Sequence, residues 1–121
     1  MREVLTSEVD RVTARLIHLR DLPTGWHSPG SSAPAREVIE HLLALAGDLA
    51  AVVGLVIVPE ADGGVDLGWL IGEVEYTAQC SNDGQMFLLT DNVLTDALVE
   101  AQVAFDPAVL RAFLRQGTFP A

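Results

Sequence analysis

The sequence predicts an α+β fold: two N-terminal helices, an antiparallel β-meander of four or five strands, and a short C-terminal helix packed on one face of the sheet. Three observations predict it. Apolar residues recur at helical spacing before residue 50 and again after residue 106, apolar and polar residues alternate between these regions, and glycine turn signals divide the alternating stretch. Runs of one element type followed by runs of another indicate α+β, with the helices gathered on one face of the sheet. The chain of 121 residues has the length of a single domain, residues 1–121, and a domain of this size buries roughly 65% of its unfolded surface without needing disulfides.

The first helix is read from Leu5, Val9, Val12, Leu16 and Leu19, which share one stripe, with Glu8, Arg11 and Arg15 facing away. Ser7 is its expected cap, with Asp10 completing a capping-box arrangement, and Pro23 and Gly25 stop it. The segment Leu22 to Pro34 has no period. Pro34 then suits the first turn of a second helix, from about Ala35 to about Gly47, capped by Ser32 or Ala33. Its apolar face is Val38, Ile39, Leu42, Leu43, Ala46 and Leu49, opposite Glu37, Glu40 and His41.

Val52 to Val58 is a β-branched run bounded by Pro59, and Asp62-Gly63-Gly64 is a hairpin signal because glycine accepts positive φ without a steric penalty. Val65, Leu67, Trp69 and Ile71 alternate with Asp66, Gly68 and Leu70. After a reversal at Gly72, Val74, Tyr76, Ala78 and Cys80 alternate with Glu73, Glu75, Thr77 and Gln79. Asn82-Asp83-Gly84 turns the chain into a strand from Gln85 to Thr90, and Asp91 to Asp96 reads as a loop. Residues 94–103 could pass for a helix, but the alternation of Val99, Ala101, Val103 and Phe105 favours a fifth strand. Asp106-Pro107 starts a last helix with Val109, Leu110, Phe113 and Leu114 on its apolar face, and Gly117 ends it.

Charge is the most informative global property. Seventeen acids face seven bases, every base is arginine, and Glu37 to Leu110 holds 13 acids and no base across 74 residues. Such a span repels phosphate, which argues against nucleic acid as a partner, and the mixed charge of the first helix argues against a membrane surface. A basic protein is the electrostatic complement. No apolar run approaches the ~20 residues that span a bilayer. The opening MREVLTSEVD has no apolar block behind a basic start, so it reads as neither a signal nor a transit peptide, and the expected location is the cytoplasm. The lone Cys80 is expected to serve as a small apolar residue.

No residue is assigned to catalysis, to a metal or to a cofactor. Ser28, Ser31 and Ser32 lie near His27 and His41 in sequence but lack the strand–elbow context of a serine hydrolase. His27, His41 and Cys80 lack metal-ligand spacing, and Glu60, Asp62 and Asp66 lack the order of a calcium loop. Glycine-rich phosphate loops are also missing, since Gly63-Gly64 has acids on both sides. What remains is recognition. Trp26 and His27, in a loop rich in proline and glycine, are candidate contact residues, together with the acids Glu60, Asp62, Asp66, Glu73 and Glu75. The alternative for Trp26 is that its ring folds back over the core edge where the two helices meet.

The pattern Leu22-x-x-Gly25-Trp26, then Gly30-Ser31-x-x-Pro34, then Pro59 and Asp62-Gly63-Gly64-Val65-x-Leu67-x-Trp69 resembles a set of small uncharacterised bacterial and phage-borne proteins. These commonly read GWDGxGSxxP, then PxxDGGxxLEW and a short β-meander. The resemblance covers roughly residues 16 to 90, with His27 in place of the acid after the first tryptophan and Gly68 in place of the glutamate before the second. It implies the same fold and brings no established activity with it.

The expected function is a non-enzymatic, acidic protein-binding module of the antitoxin, immunity or inhibitor kind, neutralising a basic partner through its sheet face. One alternative is a small enzyme or ligand-binding domain with its site between the Trp26-His27 loop and the sheet, using His27, His41 and Tyr76. The other is a structural homodimer, formed through the Leu5 to Leu19 stripe or an open strand edge.

Overall fold

The structure, a computed structural model, describes residues 7–120. Helix α1 spans Glu8–Arg20, α2 Arg36–Ala44, α3 Ala46–Ala50 and α4 Pro107–Gln116. The strands are β1 (Val56–Pro59), β2 (Val65–Ile71), β3 (Val74–Cys80), β4 (Gln85–Asn92) and β5 (Leu98–Ala104). They form one antiparallel sheet in the order β1-β2-β3-β4-β5, so the α+β meander has five strands, and residues 98–104 are strand rather than helix. No helix among the described residues is long and apolar enough to cross a membrane.

Ser7 Oγ accepts the Asp10 N–H at 3.0 Å, fixing the start of α1. Val12, Leu16 and Leu19 are buried, whereas Val9 is 43% exposed and Leu5 lies outside the described residues. The described part of the stripe therefore belongs to this chain's own core and is not a free dimer seam. Arg15 is exposed, off the buried stripe of α1, and its guanidinium reaches β1, donating to the Ile57 carbonyl from Nε at 3.1 Å and Nη2 at 2.9 Å.

The second helical region differs from its reading in three ways. Its N-cap is Ala35, with no side-chain cap hydrogen bond, so neither Ser32 nor Ala33 caps it, and Pro34 stands before the helix rather than in its first turn. The helix breaks at Leu45 (φ −104°, ψ 15°) and resumes as α3. His41 is not on a solvent face but stacks on Phe105, with ring centroids 4.6 Å apart. The expected strand from Val52 shortens for a related reason: Gly54 takes φ +74°, which interrupts the β-branched run, and the strand begins only at Val56.

The region expected as a loop from Asp91 begins two residues later, at Val93. β4 continues through Asn92, whose side-chain oxygen then accepts the N–H groups of Leu94 and Thr95 at 3.0 and 3.1 Å. At the C-terminus, Asp106 Oδ1 accepts the Ala108 N–H at 2.8 Å and Gly117 ends α4 in the left-handed conformation, as the sequence predicts.

The helices cover one face of the sheet. Leu16, Leu19, Ile39, Leu42 and Leu49 meet Val65, Leu67, Ala78, Met86 and Leu88. α4 is tied down by aromatic contacts: Trp69 stacks on Tyr76 at 5.4 Å, and Phe113 meets Trp69 edge-on at 5.5 Å. It is also held by charge, since Asp48 of α3 receives Arg111 at 3.1 Å and Arg115 at 2.7 Å.

Candidate functional site

The candidate residues separate into two groups at opposite ends of the sheet. The first is built where the Leu22–Pro34 loop meets the β1–β2 turn. Ser32 N–H bonds the Ala61 carbonyl at 2.7 Å and Ala35 N–H bonds the Gly63 carbonyl at 2.8 Å, so the two sequence motifs are halves of one structure. Gly63 has φ +95°, and a Cβ on it would lie 3.1 Å from the Ala33 carbonyl oxygen, which explains why this position is glycine.

Trp26 is half-buried, and its Nε1–H donates to the Ser32 carbonyl at 2.8 Å. The ring neighbours His27 at 5.4 Å and shares with Val58, Pro59, Glu60 and Ala61 a shallow cleft of about 330 Å³. Trp69, by contrast, is a core residue at 5% exposure. Ser31 is buried, and its hydroxyl accepts the Ser28 N–H at 2.9 Å, so these serines serve the loop's own shape.

A second cleft, of about 410 Å³, adjoins the first through Glu60 and Ala61 and contains Asp62, Asp66 and Gln79. Asp62 is a turn residue: its Oδ1 accepts the Gly64 N–H at 2.9 Å. Asp66 is different. Burial, then the adjacent Glu60 carboxylate, then Asp62 push its carboxyl up to about 7, while a hydrogen bond from Gln79 acts in the opposite direction. Burial and then Asp66 push the Cys80 thiol up to about 12, which leaves it protonated and unreactive. Among the described residues, no three His, Cys, Asp or Glu side chains converge to hold a metal ion.

The second group lies on the sheet's open face. Glu73 is not on the strand with Glu75 but in the β2–β3 turn, where its carbonyl accepts the Val93 N–H at 2.8 Å. Glu75 is on β3 and stands directly opposite Asp91 of β4, which in turn pairs with Leu98 of β5. Glu100 follows two residues after Leu98, on the same face and diagonal to Asp91. The strand register thus aligns Glu75, Asp91 and Glu100 across three strands. The strands carry no lysine or arginine: Arg11, Arg15, Arg20, Arg36, Arg111 and Arg115 belong to α1, α2 or α4. Sequence reading missed Asp91 and Glu100, because adjacency across strands depends on register.

The rest of the open face is mixed. Val56, Val58, Leu70 and Leu98 are 56%, 42%, 56% and 56% exposed. Gly68 makes a hollow of about 270 Å³ between Val56, Leu70 and Thr77. The three residues suggested for a catalytic or ligand site keep separate company: His27 beside Trp26, His41 on Phe105, and Tyr76 on Trp69. Compared with protein-family models, with curated proteins and with solved structures, the chain matches none.

Proposed function

We propose that this chain is a non-enzymatic, acidic protein-binding module of the antitoxin, immunity or inhibitor kind, acting in the cytoplasm and neutralising a basic partner through the open face of its sheet. One observation carries the reading: Glu75 and Asp91 stand directly opposite each other with Glu100 diagonal to them, on a face that holds no base. Like charges in direct cross-strand opposition disfavour a sheet. A cationic surface relieves that repulsion, and the exposed apolar residues around it supply contact area. Affinity capture from the host at low salt, followed by reconstitution with the purified captured protein, tests the reading. The expected partner is basic and loses at least about tenfold in affinity on joint Glu75→Gln and Asp91→Asn substitution; a neutral partner, or one indifferent to both changes, overturns it.

A second reading is favoured by Asp66, whose half-buried carboxyl is pushed up to about 7 beside Glu60 in an open cleft. Paired carboxyls of this kind suit proton transfer or a small cationic ligand. This reading places the site at the β1–β2 hairpin, next to Trp26 and His27, and leaves out His41 and Tyr76.

A further inference from the structure

The two edges of the sheet are unlike. β1 is four residues long and ends in Pro59, which has no N–H to offer a neighbour. The bond from Glu60 N–H to the Gly64 carbonyl at 2.9 Å sets the phase of the β1–β2 ladder, and in that phase the Ile57 carbonyl points away from β2. Arg15 occupies this carbonyl with two donors, at 3.1 and 2.9 Å. The β1 edge is closed to another strand.

The β5 edge is open. It runs seven residues, Leu98–Ala104, without proline. Bonds from Asn92 N–H to the Ala97 carbonyl at 2.9 Å and from Phe105 N–H to the Gly84 carbonyl at 2.8 Å fix its phase: residues 99, 101 and 103 bond to β4. The backbone N–H and C=O groups of Leu98, Glu100, Gln102 and Ala104 therefore point outward. On the open face, Asp91 and Glu100 bring negative charge to this edge; on the helix-covered face, Val99, 51% exposed, and Val103 continue the apolar surface past the end of the core.

We propose that β5 receives an extended segment of the basic partner as a sixth, antiparallel strand. Its basic side chains alternate with small apolar ones. In antiparallel pairing, residues that exchange bonds with Leu98, Glu100, Gln102 and Ala104 place their side chains on the open face, over Asp91 and Glu100, and the intervening residues lie beside Val99 and Val103. A second copy of this chain is the poorer occupant, because it brings one net charge of −10 against another. The inference rests on the reading of the protein as a module for a basic partner, and adds how that partner docks.

The probe is a capped peptide of roughly eight residues that alternates arginine and valine, used unmodified, N-methylated on every arginine, and N-methylated on every valine. Each form is titrated into the intact protein at low salt, and amide hydrogen exchange is followed in parallel. Methylation on arginine removes the edge-facing donors and is expected to weaken binding at least about tenfold, whereas methylation on valine changes it by less than about threefold. The amides of Leu98, Glu100, Gln102 and Ala104 are expected to exchange more slowly with the unmodified peptide bound. Equal binding of all three peptides overturns the docking mode while leaving the basic-partner reading in place; binding by none of them contradicts both. If the same four amides are protected without peptide, in proportion to protein concentration, a second copy occupies the edge and the proposal falls.

Discussion

Two aspartates show how position decides what a carboxyl does. Asp66, with its carboxyl raised from 3.8 to about 7 by burial and Glu60, keeps a proton in the folded state that the unfolded state has lost between those values. Stability therefore falls as pH rises through that window. Asp66→Asn removes the penalty, and thermal melts at about pH 8 are expected to favour the variant by about 1 kcal/mol, discounted for a half-exposed side chain, with the gap closing near pH 4. Asp48 behaves in the opposite way. Burial acts to raise its carboxyl, but Arg111 and Arg115 outweigh that and hold it below its ordinary value. A lowered folded value means stability that is present above the unfolded pKa and lost as pH falls through the folded one. Asp48→Asn is expected to destabilise by about 1 kcal/mol at neutral pH and to make no difference in strong acid, as chemical denaturation at both pH values would show.

Between elements, the most consequential contact is that of the Leu22–Pro34 loop with the β1–β2 turn, through Ser32 to Ala61 and Ala35 to Gly63. Gly63→Ala combines a disfavoured φ of +95° with a Cβ 3.1 Å from the Ala33 oxygen. It is expected to destabilise by about 1–3 kcal/mol and to speed exchange of the Ala35 amide, whose acceptor it displaces; an unchanged melting curve would contradict this account of the joint. Most elements were legible in the sequence because their signals are local. β2, β3 and α4 announce themselves by alternation, by the Asp106 cap and by Gly117. The start of α2 did not, because the helix opens after Ala35 with no side-chain cap to mark it, while the Ser32 backbone N–H joins a turn 29 residues along the chain. The Val52 run was misread for want of any local sign that Gly54 adopts positive φ.

At the scale of the molecule, the chain separates its charges: the described arginines all lie on helices α1, α2 and α4, and the charged residues of the strands are all acids. The acidic character of residues 37–110 was readable from composition. The alignment of Glu75 with Asp91 and Glu100 was not, since shifting a strand by one residue would send its acid to the other face. A strand boundary escapes the alternation as well: it puts Glu73 on the strand with Glu75, although Glu73 belongs to the β2–β3 turn. The most direct test of the sheet-face account is calorimetric titration of the arginine–valine peptide at about 50 mM and about 300 mM salt into two proteins, the parent and a Glu75→Gln, Asp91→Asn, Glu100→Gln variant. The account predicts at least about tenfold loss of parent affinity across that range and a variant that binds weakly and nearly independently of salt. Equal affinity and equal salt dependence in the two proteins would place the binding surface elsewhere and contradict it.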